Sequence, residues 1–314
     1  MKRLKVLIWH VHGAYLYYLA HAPHDFYVLS KPDRGPGYSG KFGHIRWPDN
    51  VHDMPVAALD SERFDCVIYQ LPEHYQRDRL ELFSNVQLRL PAIYIEHDPP
   101  QRHPTDTRHY VADTDVMLVH VTHFNALMWD SGNAPTRVIE HGVVIPADVR
   151  YSGELERGIV VINNLQSRGR RLGADIFARL RAELPLDLIG MEAELMGGIG
   201  EILHKDLCAY QARYRFFFNP IRYTSLGLAV IEAMMVGLPI VGLATTEMVT
   251  TIEDGVSGYL ATDVDYLRDA MRSLLADRDL ARALGARARD YALERFNIGR
   301  FSADWDRLLR EVAG

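Results

Sequence analysis

Cysteine is scarce. The chain holds two, Cys66 and Cys208, far apart in sequence. A disulfide framework or a zinc knuckle needs cysteines in close, paired spacing, so neither is expected, and a reducing cytoplasm suits both thiols. Positive charge is also short, with 35 Lys and Arg against 41 Asp and Glu and a net charge of −6. A general binder of nucleic acid or of an anionic membrane has the opposite balance, although a local basic patch is compatible with this one. No apolar run reaches about 18 residues, the length that crosses a bilayer. The opening MKRLKVLIWHVHG has basic residues but no long signal-peptide core and no small-residue cleavage site, and it reads as a first strand. Histidine is nearly missing from one half: of 14, only His204 lies after His141.

What the chain does have is length and apolar content. It has 314 residues, 48% of them hydrophobic, enough for two domains of roughly 150 residues each. In the first half, Leu4 to Trp9, Phe26 to Leu29, Asp65 to Gln70, Pro91 to Ile95 and Val116 to Val121 read as buried strands, with Arg137 to Glu140 ending the run. Helices are expected through Tyr15, Leu16 and Leu19, over Glu73 to Phe83, and over His123 to Trp129. Residues 31–50, rich in Pro, Gly and Asp, read as a long surface loop. Such alternation predicts a Rossmann-like layer sandwich, whose ligands sit beyond the carboxyl ends of the strands. Histidines at two such ends stand out, His10 and His12 after the first strand and His97 in YIEHDPP.

The polar segment Pro146 to Arg157 reads as the boundary, with strands at Gly158 to Ile162 and Leu186 to Gly190 beyond it. Between them lies a basic corner, Arg168-Gly169-Arg170-Arg171, placed where cations neutralise a leaving diphosphate. Phe216 to Phe218 reads as a strand that Pro220 ends. Thr224 and Ser225 are good N-cap types. Leu228 to Val236 then reads as a helix, stopped by Gly237 and Pro239, with a second buried strand over Pro239 to Leu243. The first N–H groups of that helix lack partners and carry partial positive charge, so a diphosphate fits there. Gly227 lets a ligand approach the backbone. Glu232, among apolar neighbours, needs a partner, and a ribose diol would supply one. Gly197-Gly198-Ile199-Gly200 lacks a strand-to-helix setting and reads as a loop. The pairs Asp113/Asp115, Asp263/Asp265 and Asp304/Asp306 recur too freely to mark a metal site and read as caps and turns. Helices are expected over His204 to Tyr214, Tyr266 to Leu275 and Leu280 to Tyr291, then a final one striped by Phe301, Trp305, Leu308, Leu309 and Val312.

The stretch from Arg213 to Leu260 resembles the C-terminal domain of glycosyltransferase family 4, retaining nucleotide-sugar transferases. The resemblance is carried by Pro220, Leu226-Gly227, Glu232-Ala233-Met234, Gly237-Leu238-Pro239-Ile240-Val241, Glu247, Asp254-Gly255 and Gly258-Tyr259-Leu260. It implies an α/β chain of GT-B fold: two Rossmann-like domains with parallel sheets facing an interdomain cleft. The domains would be 1–150 for the acceptor and 151–296 for the nucleotide sugar, with 297–314 a helix crossing back to the first. Two family glutamates lie seven residues apart. Glu232 matches the second, which holds the nucleotide ribose, while Thr224 stands in place of the first, which contacts the donor sugar. His97 matches a histidine that faces both sugars, and Gly13 a glycine loop near the donor phosphates. Ser225, Leu226 and Gly227 complete the donor corner with one or two of Arg168, Arg170 and Arg171. His10, His12 and Tyr15 are the acceptor-side candidates.

The implied activity moves a sugar from a nucleotide-diphosphate donor to a glycan, lipid-linked or small-molecule acceptor. No metal or cofactor and no nucleic-acid partner is expected, and attachment at the inner membrane face is left open. Alternatives of the same fold are a sugar-nucleotide epimerase or hydrolase, and a degenerate nucleotide-sugar-binding partner. A different alternative starts from His10-x-His12, which in an extended segment point the same way and suit a divalent metal. That arrangement opens metal-dependent amidohydrolases, which are (β/α)8 barrels.

Overall fold

The computed structural model describes residues 2–41 and 43–314. Contacts divide the chain into two compact units, Met1–Gly142 with Ile298–Gly314, and Val143–Asn297.

The first unit is built on seven described strands: β1 (Lys5–Ile8), β2 (Asp25–Ser30), β3 (Val51–Pro55), β4 (Cys66–Tyr69), β5 (Ala92–Glu96), β6 (Val116–His120) and β7 (Thr136–Val138). All pair in parallel, in the order β3-β2-β1-β4-β5-β6-β7. β4 and β5 are buried along their whole length, as helices on both faces of a parallel sheet require. Strand order reverses between β1 and β4, so the loops leaving those two strands part around a crevice. The helices are α1 (Gly13–Leu19), α2 (Arg79–Leu82) and α3 (His123–Met128). Thr122 caps α3, its Oγ1 accepting from Asn125 N at 3.0 Å.

Two expectations change here. The single helix over Glu73 to Phe83 is a π-helical turn, His74–Asp78, followed by α2; such turns are rare and gather at functional sites. β3 escaped the sequence reading because an edge strand carries few apolar residues and tolerates a terminal proline. Only its Val51 and Met54 are buried.

The second unit runs β8 (Leu155–Val161), α4 (Leu165–Arg168), α5 (Ala174–Arg181), β9 (Leu186–Ile189), α6 (His204–Gln211), β10 (Tyr214–Asn219), α7 (Leu228–Val236), β11 (Ile240–Leu243), β12 (Gly258–Ala261), α8 (Val264–Ala276) and α9 (Arg278–Arg295). Its parallel sheet has the order β12-β11-β10-β8-β9, reversing between β8 and β10. α7 closes as its sequence predicts: Gly237 adopts φ +104°, and its N–H bonds to the carbonyls of Ala233 and Met234. Asp263 caps α8 and Asp277 caps α9, so the acidic pair at 263/265 is a cap and a surface partner of Arg179. The last helix, α10 (Ile298–Ala313), belongs to the first unit, with Phe301, Trp305, Leu308 and Leu309 buried. Both sheets are open, which removes the barrel alternative. No helix among the described residues is long and apolar enough to cross a membrane.

Candidate active site

In the second unit the reversal between β8 and β10 brings two corners together. One is the basic turn after β8; the other is the loop 220–227 leaving β10. Gly173, at φ +83°, packs against that loop: a Cβ there would lie 2.1 Å from the carbonyl oxygen of Pro220. Only glycine fits both the angle and the space. Arg222 fastens the two corners. Its backbone N–H donates to Arg171 O at 3.0 Å, its Nη1 donates to Arg170 O at 2.6 Å, and its guanidinium grips Asp175 at 2.6 and 2.8 Å. The Arg222 guanidinium, hydrogen-bonded to Asp175, holds that carboxyl below its ordinary range. Arg170 pairs with the same carboxylate at 2.6 Å. Of the three arginines proposed for the diphosphate, Arg170 is therefore partly committed, Arg168 closes α4, and Arg171 is half-buried beside the loop.

The helix α7 begins at Gly227, not at Thr224 or Ser225. Gly227 is the N-cap, with extended backbone and no side-chain hydrogen bond to the helix. The caps expected from sequence lie two and three residues upstream: the chain bends at Thr224 and passes Ser225 and Leu226 before Gly227, in extended backbone, starts the helix. The consequence favours a ligand: the first N–H groups of a nine-residue helix have no side-chain cap. Open space surrounds the position a Gly227 Cβ would take. Ser225 is 9% exposed, and its Oγ is buried with no hydrogen-bond partner, which costs free energy until something bonds it. Thr224 is half-buried, while Leu226 is 3% exposed and packs inward.

Glu232 is buried, one and a half turns into α7. Its Oε1 lies 3.3 Å from Nε2 of His204, on α6. Because the carboxylate only accepts, the imidazole nitrogen donates. Cys208, one turn on from His204, faces the same place; burial, and then the Glu232 charge, push its thiol up to about 12. The lone histidine of this half thus has a defined contact that no spacing announced. Glu247, by contrast, is a structural ion: it pairs with Arg295 at 3.0 Å and accepts from Thr250 Oγ1 at 2.8 Å.

In the first unit, the carboxyl ends of the strands gather a histidine cluster. The His97 ring lies 4.2 Å, centre to centre, from His12 and 4.7 Å from Tyr15. Tyr15 also meets His141 at 5.7 Å. His97 Nε2 is 3.0 Å from Gln70 Oε1. Burial, then the neighbouring His12 and His141, hold the His97 imidazole well below its ordinary range, so it is neutral. His141 and Gln70 went unnoticed in the sequence, since nothing in spacing links them to His97.

Other expected members differ. His10 does not join His12: its Nδ1 meets Gly40 O and Ser39 Oγ, each at 2.8 Å, and its ring meets Trp47 edge-on. The chain bends at Val11 and His12, and His10 turns to the loop 31–50 while His12 meets His97. Among the described residues no three His, Cys, Asp or Glu side chains are grouped to hold a metal ion. Tyr15 is 1% exposed, packed between His97, His141 and Phe301, so its ring offers no face for a sugar to stack on. Gly13 is the first residue of α1 rather than an open turn: its Cβ position lies 2.7 Å from Ile45 Cδ1 and 3.0 Å from His10 Nε2.

Residues 170–277 match the family model described as glycosyl transferases group 1. The N-acetyl-α-D-glucosaminyl L-malate synthase of Bacillus anthracis is 31% identical over 90 residues, 28% of this chain and 24% of that protein. The GtfA subunit of the UDP-N-acetylglucosamine–peptide N-acetylglucosaminyltransferase of Streptococcus gordonii is 21% identical over 278 residues, 86% of this chain and 49% of that one. The chain thus spans about half or less of the curated relatives it matches. Anabaena HepE, solved in complex with UDP-glucose, superposes with a TM-score of 0.69 at 13% identity, covering 98% of this chain and 100% of that one. Over residues 170–277 the chain therefore carries a glycosyl transferases group 1 domain, and its two parallel-sheet units have the GT-B fold.

Proposed function

We propose that this protein is a retaining glycosyltransferase of the family-4 type that moves a sugar from a nucleotide-diphosphate donor to an acceptor hydroxyl. The glycosidic bond from C1 to the β-phosphate breaks, and its electron pair leaves with the diphosphate. The acceptor oxygen bonds to C1 on the face the diphosphate leaves, and the acceptor proton passes to a departing phosphate oxygen. The single observation that carries the reading is the corner at α7. It offers uncapped N–H groups, an unsatisfied Ser225 hydroxyl and a buried Glu232 within residues that match the family.

In this reading the helix N-terminus and Arg171, with Arg168, hold the charge that develops on the leaving diphosphate. Fixed cations and backbone dipoles then do what a metal would otherwise do. Glu232, held by His204 through one oxygen, accepts from the ribose hydroxyls, and Thr224 and Ser225 meet the donor sugar or its phosphates. In the first unit His97 and His12 orient the reacting sugars. HepE binds UDP-glucose and the GtfA relative is named for UDP-N-acetylglucosamine, so uridine diphosphate sugars are the first donors to try. The acceptor is a hydroxyl of a glycan, a lipid-linked glycan or a small molecule.

Glu232→Ala tests the assignment. A carboxylate that accepts two ribose hydrogen bonds is worth about 1.5–3 kcal/mol for each. UDP affinity, measured by calorimetry, should fall by at least about tenfold. Unchanged affinity in a folded variant would remove the ribose role and the corner with it.

A further inference from the structure

Trp9, Gln70 and His97 are each the first residue beyond a strand, after β1, β4 and β5. Those strands are neighbours, so the three residues stand side by side at the reversal of the sheet. Gln70 is 4% exposed and joins the other two: its Nε2 donates to Trp9 O at 3.0 Å, and its Oε1 faces His97 Nε2 at 3.0 Å. The directions of these bonds are forced. A backbone carbonyl only accepts, so the amide NH2 must face Trp9. The amide oxygen is then left for His97, and it too only accepts, so the proton of the ring lies on Nε2.

We propose that Gln70 is a positioning residue that locks His97 in the Nε2–H tautomer, presenting Nδ1 as an acceptor for a sugar hydroxyl. The inference rests on the reading of the histidine cluster as a sugar site. A hydroxyl donating to Nδ1 is held with its oxygen lone pairs turned outward, towards a reacting carbon. The opposite tautomer would offer an N–H there and turn the hydroxyl round. The other groups facing the ring are His12 at the head of α1, Tyr15 on α1 and His141 beyond β7. None is a carboxylate, so nothing among them draws a second proton onto the imidazole, and a neutral ring of fixed tautomer results.

The test is nitrogen-15 NMR of the histidine rings in the whole protein, with UDP release from UDP-glucose or UDP-N-acetylglucosamine as the activity. The wild type should show His97 as one Nε2–H tautomer between about pH 6 and 8. Gln70→Met keeps the volume and removes both polar atoms. It should mix the tautomers and lower kcat by about ten- to a hundredfold, with UDP affinity unchanged. A wild-type ring protonated on Nδ1, or unaltered ring signals in Gln70→Met, overturns the proposal. Should Gln70→Met fail to fold, Gln70→Glu replaces it. Its acid form donates to Trp9 and accepts from His97 as glutamine does, whereas its carboxylate cannot donate. That carboxylate still accepts from His97 Nε2 and, being an anion, draws a second proton onto the ring, so the nitrogen-15 signals should show the imidazole charged at a higher pH than in the wild type; ring signals like those of the wild type overturn the proposal. His97→Ala separates the two failures. Full turnover without the ring sinks the reading of the cluster, whereas a dead His97→Ala beside an unaffected Gln70→Met sinks the role of Gln70 alone.

Discussion

The corner at α7 and the histidine cluster do their work with different materials. The corner uses backbone: uncapped N–H groups, a glycine cap, and a strand-to-helix turn that any sequence of the right pattern adopts. Its backbone determinants lie within residues 220–232, with the arginine turn and His204 beside them. The cluster uses side chains from the ends of separate strands, His12, Gln70, His97 and His141, held against one another by ring contacts and one amide. A site of the first kind suits a constant ligand, such as a diphosphate. One of the second kind is set by a few exchangeable side chains and suits the variable part of a reaction. Buried histidines set the first unit apart in another way as well.

Acid is the strongest lever on that difference. Burial lowers the imidazoles of His74 and His120 to about 4 each, and lowers His24 and His97 in the same direction. These groups are neutral in the folded protein and take up protons on unfolding below their ordinary pKa of about 6.5. Their contribution is whole above that pH and is lost as pH falls from about 6.5 towards 4, on the order of 3 kcal/mol for each of His74 and His120. All lie in the first unit, as do the four tryptophans, Trp9, Trp47, Trp129 and Trp305. Tryptophan emission should therefore shift near pH 5 while UDP binding by the second unit persists. Simultaneous loss of both signals would break the comparison.

His97→Ala sharpens it at the level of chemistry. If the cluster orients a sugar and the corner holds the nucleotide, turnover should fall by about a hundredfold, with UDP affinity unmoved in calorimetry. A matching loss of affinity would mean that the two sites are not separable in function.

Legibility follows the same division. The corner was readable because its determinants are local: Pro220 ends a strand, Gly237 and Pro239 end a helix, and Glu232 is conspicuous among apolar neighbours. α7 runs over the residues expected of it, and only its cap was misplaced, because Thr224 and Ser225 are cap types that the chain passes by before Gly227 starts the helix. The cluster was half readable. Strand ends could be placed, so His12 and His97 stood out, but their partners depend on strand order, and Gln70 meets His97 only because β4 lies beside β5. His10 was misjudged because the loop 31–50, polar and glycine-rich, folds back and supplies Gly40 and Ser39 as its partners. Arg222 was missed for a related reason: its role depends on where the turn at Gly173 comes to rest.

Arg222 allows the smallest of these tests and the most discriminating one within the corner. Its links to Asp175 and Arg170 O are partly exposed, with side-chain exposures of 31% and 36% for the ion pair, so their removal should cost little stability, about 1 kcal/mol or less. If the link merely decorates the surface, Arg222→Ala should leave nucleotide binding as it was. If it holds the arginine turn against the loop, the diphosphate loses its aligned cations. Affinity for UDP should then drop by about tenfold, roughly 1.4 kcal/mol, more than the protein loses in stability. Uridine lacks the phosphates and provides the control: its weaker binding, through Glu232 alone, should be the same in both proteins. A parallel loss for uridine would trace the defect to the whole loop rather than to the cations, and the division between a backbone-built nucleotide corner and its arginine clamp would have to be redrawn.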